Sequence, residues 1–283
     1  MYIFALIMEV KKKIITSKKH GIFANIIRLY KFRRLIIIFA KRDIKVQYAQ
    51  TFLGLLSSVL QPLTALVVFT FFFDKLIHLR EQFNITTPYP LFAFTGMIPW
   101  YYFTMLIGNA GTSLSQSEHL IKKIFFPKLV LPLSKVLVGL VELGISMIFL
   151  IILLVAYQYE PTINLLYLPI FIILNIITGL SVGIWLSALT IRYRDFHHFI
   201  PYLISFGIWL TPVFYPGTIF PADKTYLIYI NPMAGVIAGY RWSILGENLP
   251  VVEYLVGFIP VIILFITGLF YFRKVENKVV DYV

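Results

Sequence analysis

Lys135 and Glu142 are the costliest residues in this chain, because they interrupt an apolar run that extends from 129 to 156. Seven residues apart, they share one face of a helix. An ionisable side chain at membrane depth is expensive and by default marks a substrate or ion path. A structural reading stands beside that one: the two pair with each other, or Glu142 reaches polar backbone inside the bundle. A second constellation is aromatic. Trp100-Tyr101-Tyr102-Phe103 falls near the middle of another apolar run, 91–113. An interfacial belt accounts for such a cluster, and so does the wall of a pore. A third is basic. Between 28 and 48, Leu29, Phe32, Ile36 and Phe39 share one helical face, while Arg34, Lys41 and Lys45 lie opposite. A helix of that pattern suits an anionic membrane surface and attracts phosphate groups. Asp43 projects toward the apolar face, either as an acid at the membrane edge beside an Arg or Lys, or as a partner contact.

Other chemistry lacks its residues. No Gly is followed by Lys, so the phosphate-cradling G-x-x-x-x-G-K-[ST] loop does not occur. The five histidines show no H-E-x-x-H spacing, and there is no cysteine to ligate metal. His197-His198 falls in a short loop, where a solvated role outweighs metal binding. No ladder of acids of the proton-relay kind appears, and no Ser, His and Asp are linked by spacing.

The elements that must position these residues are six apolar runs, at about 51–73, 91–113, 129–156, 163–190, 199–215 and 250–272. About 20 apolar residues cross a hydrocarbon core about 30 Å thick. With 59% hydrophobic and 13% charged residues, against about 25% charged in soluble domains, the chain reads as a membrane protein with one membrane domain. Its formal charge of +12 does not call for nucleic acid. Twenty-one Lys and Arg fall in the N-terminal segment, the 114–135 and 191–198 segments and the tail, while the alternate loops hold Lys75, Arg80, Lys224 and Arg241. The positive-inside rule then puts both termini in the cytoplasm.

The stretch Pro216 to Pro250 is outside by this topology yet largely apolar. It breaks at Asn231-Pro232 into two pieces, each too short to span. Irregular backbone at membrane depth must be buried in protein or line a water cavity. The fold class expected is therefore an all-α membrane protein: six transmembrane helices, an N-terminal amphipathic interfacial helix, and a re-entrant outer hairpin between spans 5 and 6. Residues 1–50 form the cytoplasmic N-terminal segment, 51–275 the membrane domain and 276–283 a cytoplasmic tail.

Several segments, in order, carry a resemblance. His119 to Pro132 (HLIKKIFFPKLVLP), Gly96 to Phe103 (GMIPWYYF), Arg192-Tyr-Arg-Asp195, Leu210 to Pro216 (LTPVFYP), Asn231-Pro-Met-Ala234 with Tyr240-Arg241, and Arg42-Asp43, Lys45 and Tyr48 through Pro62 are similar to type-2 ABC transporter permeases that export polysaccharide. The resemblance spans about residues 28–275. It implies a homodimer of this chain with two copies of a separate ATP-binding subunit, which would hold ATP and Mg; this chain would be a transport subunit and not an enzyme. It implies a cargo on an undecaprenyl-pyrophosphate carrier, such as O-antigen, capsule or teichoic acid, crossing the inner membrane. On that reading Arg42, Asp43, Lys45, Glu118, Lys122 and Lys123 dock the ATP-binding subunit. Arg34, Lys41, Arg42 and Lys45 attract the lipid pyrophosphate. Trp100, Tyr101, Tyr102, Trp209 and Tyr215 line the glycan path, each with lipid-belt or bundle packing as its other reading. A small-molecule exporter of the same type, an ion-coupled carrier resting on Glu142, and a membrane glycosyl- or acyltransferase remain as rivals.

Overall fold

The structure, a computed structural model, describes residues 29–49, 57–219, 226–249 and 251–276, with Lys224 and Val279 besides. The basic stretch 1–27, the first residues of the run starting at Thr51, and most of the tail lie outside the described residues. Among the described residues all the regular structure is helical, with no strand.

The helices are α1 Arg33–Ala49, α2 Ser57–Phe69, α3 Leu79–Gln82, α4 Tyr89–Gly111, α5 Glu118–Lys123, α6 Val130–Ala156, α7 Leu168–Arg192, α8 Phe196–Leu210, α9 Tyr226–Tyr229, α10 Pro232–Leu245 and α11 Val251–Glu276. A π-helical turn, Thr70–Leu76, prolongs α2, and a 3₁₀ turn, Ile163–Tyr167, leads into α7. Four segments are long and apolar enough to cross a membrane: Tyr89–Gly111, Val130–Ala156, Ile163–Arg192 and Gly257–Glu276. They correspond to the second, third, fourth and sixth runs read from the sequence. The fifth run is the 15-residue α8, about 22 Å of helix at 1.5 Å per residue. It stops at Leu210 because Thr211 precedes Pro212 and takes extended backbone, φ −112° and ψ 135°, as a residue before proline does.

Local signals account for the other boundaries. Pro90 stands in the first turn of α4, and Pro169 in that of α7, where the missing N–H costs nothing. Asn231 caps α10 by accepting from the Met233 N–H at 3.0 Å, with Pro232 following it. α10 ends on Gly246 at φ +71°, a left-handed position that favours glycine.

α4 is the central post. It packs against α6, α7, α8 and α10, and Phe92, Phe94, Met97, Leu106 and Ile107 on its several faces are all nearly fully buried. A helix apolar all round belongs inside a bundle. Its closest neighbour, α7, presents Gly179 and Gly183. A Cβ on Gly179 would stand 2.7 Å from Leu106 Cδ2, and one on Gly183 3.0 Å from the Ala110 Cβ. This small-xxx-small spacing lets two helices approach where no hydrophobic effect drives them together. Polar side chains fasten the same seam: Asn175 Nδ2 donates to Pro99 O at 3.1 Å, and Thr190 Oγ1 donates to Gly111 O at 2.6 Å.

Candidate functional site

A cleft of about 660 Å³ opens between α4, α6 and α8, with α1 and α2 at its rim. Its lining mixes polar and apolar groups, and includes Trp100, Tyr101 and Tyr102 from α4 and Glu142 from α6. Three of the five aromatics expected on a glycan path therefore share one wall. They differ in exposure: Trp100 and Tyr102 are buried, and Tyr101 is half-buried. Trp209 and Tyr215 stand elsewhere, at and just beyond the C-terminal end of α8. Trp209 meets the Phe69 ring edge-on at 6.0 Å, and the Tyr215 hydroxyl donates to Trp209 O at 3.0 Å.

Lys135 and Glu142 share a face of α6, yet they do not pair with each other. Both partners come from α1. Lys135 Nζ donates to Asp43 Oδ2 at 2.7 Å, and Gln47 Nε2 donates to Glu142 Oε1 at 2.6 Å. Asp43 Oδ1 in turn accepts from Arg42 Nε and Nη2 at 2.8 and 2.7 Å. Phe39, further down α1, packs edge-on against Phe126 at 5.6 Å. Contacts at 39, 43 and 47 thus meet 126, 135 and 142, so α1 runs parallel to α6 and climbs beside it. One face of α1 is taken up this way, with Phe39 and Ala40 buried. Arg34, Lys41, Arg42 and Lys45 are exposed.

On α5, Lys122 and Lys123 are exposed and Glu118 is half-buried, while Ile121 anchors the helix in the core. Ile124 and Phe125 follow, both exposed. The next turn is tied down: the Lys128 N–H donates to Glu276 Oε1 at 2.7 Å, joining the start of α6 to the end of α11. Burial lowers the Lys128 ammonium pKa, with the Glu276 carboxylate opposing the shift.

Two features escape a reading by segment. The first is Arg241. It is 3% exposed, and its guanidinium donates to Phe92 O at 3.3 Å, Pro212 O at 3.0 Å, Val213 O at 2.7 Å and Tyr215 O at 3.4 Å. It also lies 3.5 Å over the Phe92 ring. Tyr89 Oη donates to Phe214 O at 2.8 Å, and Asn231 Nδ2 to Thr211 Oγ1 at 2.8 Å. Four consecutive carbonyls of the irregular 211–216 segment are thereby satisfied by side chains. Unsatisfied backbone polar groups in lipid cost several kcal/mol each, so this clamp is what permits the helix to end where it does. Its signal in the sequence is a lone Arg within an apolar hairpin.

The second is an aromatic row on α8. Phe199, Tyr202, Phe206 and Trp209 are 48, 64, 68 and 58% exposed. Steps of three, four and three residues put them on one face of the helix. That spacing is visible in the sequence, but the apolar content of the run hides it.

The ABC-2 type transporter profile matches residues 34–245. That range takes in α1, the cleft, the Arg241 clamp and the α8 row. An O-antigen export system permease protein RfbA from Myxococcus xanthus is 28% identical over 231 residues, covering 81% of this chain and 87% of that protein. Two proteins of the same name from Klebsiella pneumoniae are 28 and 29% identical, each covering 86% of this chain and 93% of the relative. With its membrane-length helices and a match over most of its length, the chain belongs to the ABC-2 type transporter family and is a membrane-embedded transport subunit.

Proposed function

We propose that this chain is the membrane-spanning subunit of an ATP-driven exporter that moves an O-antigen-like, lipid-linked polysaccharide across the inner membrane. The relatives named above are O-antigen export permeases. The structural observation that carries the reading is the α8 row. Phe199, Tyr202, Phe206 and Trp209 expose flat, amphipathic faces along about 15 Å of helix, at 1.5 Å per residue. Sugar rings stack on such faces and slide from one to the next. A homodimer with this face turned toward its second copy encloses the path.

The finer topology follows the same reading. α2 with its π-helical turn, and α8 with the clamped segment after it, complete six spans. α9 and α10 form the re-entrant hairpin at the outer mouth, and both termini are cytoplasmic. Two copies of a separate ATP-binding subunit, holding ATP and Mg, dock on α1 and α5 through Arg42, Asp43, Lys45, Glu118, Lys122 and Lys123. Closure of that subunit moves α1, and α1 pulls on α6 through Asp43–Lys135 and Gln47–Glu142. Arg34, Lys41, Arg42 and Lys45 gather the carrier pyrophosphate at the inner leaflet.

Deleting the gene and assaying surface polysaccharide tests the proposal. The expected result is loss of one glycan from the surface with its lipid-linked form retained inside. Unchanged surface glycan together with lost tolerance to lipophilic drugs would overturn it.

A further inference from the structure

We propose that the cleft between α4, α6 and α8 is a binding site for a neutral, hydroxyl-rich sugar residue. This rests on the reading that the cargo is a polysaccharide, and it deepens that reading by naming where one unit is held inside a single protomer, apart from the α8 row.

The first ground is unmet hydrogen bonding. Gln61, Tyr101, Asn109 and Ser146 line the cleft, and their side chains make no hydrogen bond with the described residues. Glu142 accepts from Gln47 on Oε1 alone. These groups sit on helices of membrane length or beside them. Each amide or hydroxyl left bare in an apolar medium costs several kcal/mol. Whatever fills the cleft therefore both donates and accepts hydrogen bonds.

The second ground is the match of chemistry and size. Amides and hydroxyls donate and accept, and a carboxylate accepts only. A sugar ring offers hydroxyls that do both, and a flat face for Tyr101. The volume, about 660 Å³, falls within the roughly 300–1,000 Å³ of small-molecule sites. The third ground is charge. Among the described residues no Lys, Arg or His lines the cleft, and the one carboxylate is that of Glu142. The nearest basic group on α6, Lys135, is engaged by Asp43. A phosphate or uronate entering here would face a carboxylate with no cation to offset it. The exposed cations of α1, Arg42 and Lys45, lie within one to two turns of Gln47 at the rim. A carrier pyrophosphate held on α1 would present the next sugar at the cleft.

The chain has no cysteine, so Ser146→Cys places the only thiol of this chain inside the cleft. The test uses whole cells that carry the complete exporter with its ATP-binding partner inactivated, and N-ethylmaleimide as the probe. Cells that make the glycan are compared with cells blocked at its first glycosyl transfer. Ile163→Cys, at a position 88% exposed, reports labelling outside the cleft. The expected result is ready labelling of Ser146→Cys in the blocked cells and severalfold slower labelling when glycan is made, with Ile163→Cys unchanged. Ser205→Cys, on the opposite wall, serves should Ser146→Cys fail to accumulate. A thiol that never reacts means a dry cleft and overturns the site. Equal labelling in both cell types also overturns it, and leaves the proposed function standing if gene deletion still removes surface glycan. Unchanged surface glycan on deletion overturns the proposed function itself.

Discussion

Gly96→Ala tests the clamp that holds the irregular segment after α8. A Cβ on Gly96 would stand 2.6 Å from Val213 O and 2.7 Å from Arg241 Nη2. Close carbon–oxygen contacts settle near 3.3 Å or more, so α4 and the 211–216 segment must part by about 0.7 Å. Neither neighbour is a free end. Val213 O accepts from Arg241 Nη2 at 2.7 Å, and Arg241 is held by three further carbonyls and the Phe92 ring. Overpacking costs about 1–3 kcal/mol, and a lost hydrogen bond to a charged donor about 1.5–3 kcal/mol. Alanine returns about 1 kcal/mol of helix propensity, so the net loss is about 1.5–5 kcal/mol. At about 2–4 °C per kcal/mol for chains of this size, the midpoint falls by roughly 3–20 °C. Gly144→Ala is the matched control, because nothing stands within 4 Å of the added methyl. Thermal unfolding of the purified transporter in nanodiscs separates the two. If Gly96→Ala melts together with Gly144→Ala, the clamp does not bear on stability and the account given for 211–216 fails.

The α1–α6 link predicts an asymmetry. Asp43→Asn strips Lys135 of its ion-pair partner at 14% side-chain exposure, whereas Lys135→Met leaves Asp43 with Arg42. Asp43→Asn should cost about 1–3 kcal/mol and Lys135→Met less, with the double substitution recovering part of the loss in a cycle of melting curves. Gly179→Val forces a branched side chain into Leu106 and should lower the yield of folded protein at the α4–α7 seam, while the same change at Gly144 should not. Charge reversal of Lys122 and Lys123 together should weaken co-purification with the ATP-binding subunit or its coupled ATPase rate; both surviving unchanged would remove α5 from the docking surface. Tyr202→Ala and Phe206→Ala alter exposed residues, so they should reduce surface glycan without shifting the melting point, and equal glycan levels would take the α8 row out of the path.

The helices were legible where apolar composition alone decides. Runs at 91–113, 129–156 and 163–190 return as α4, α6 and α7 with ends moved by two residues or fewer at most termini. The break at Asn231-Pro232 was legible too, because a side-chain cap and a proline act locally. Partnership was not legible. Lys135 and Glu142 lie on one face, and spacing within a helix cannot say that their partners arrive from residues 43 and 47. Burial was equally hidden around α4: consecutive Trp100, Tyr101 and Tyr102 point in different directions, so one cluster divides into two buried rings and one half-buried ring at the cleft. The α8 row could have been found by periodicity, but a run that is apolar throughout masks its aromatic subset.

Arg241 also bears on the charge asymmetry from which orientation is argued. The positive-inside rule concerns cations that a membrane's charge and insertion machinery encounter in short loops. Lys75, Arg80 and Lys224 are exposed, so they count against the bias. Arg241 does not, since its charge is spread over backbone carbonyls and a ring inside the bundle. Removing it leaves three exposed basic residues on the side read as outer. The cation that dilutes the pattern in a count of letters is an internal fastening, and the asymmetry between the two faces is stronger than that count makes it.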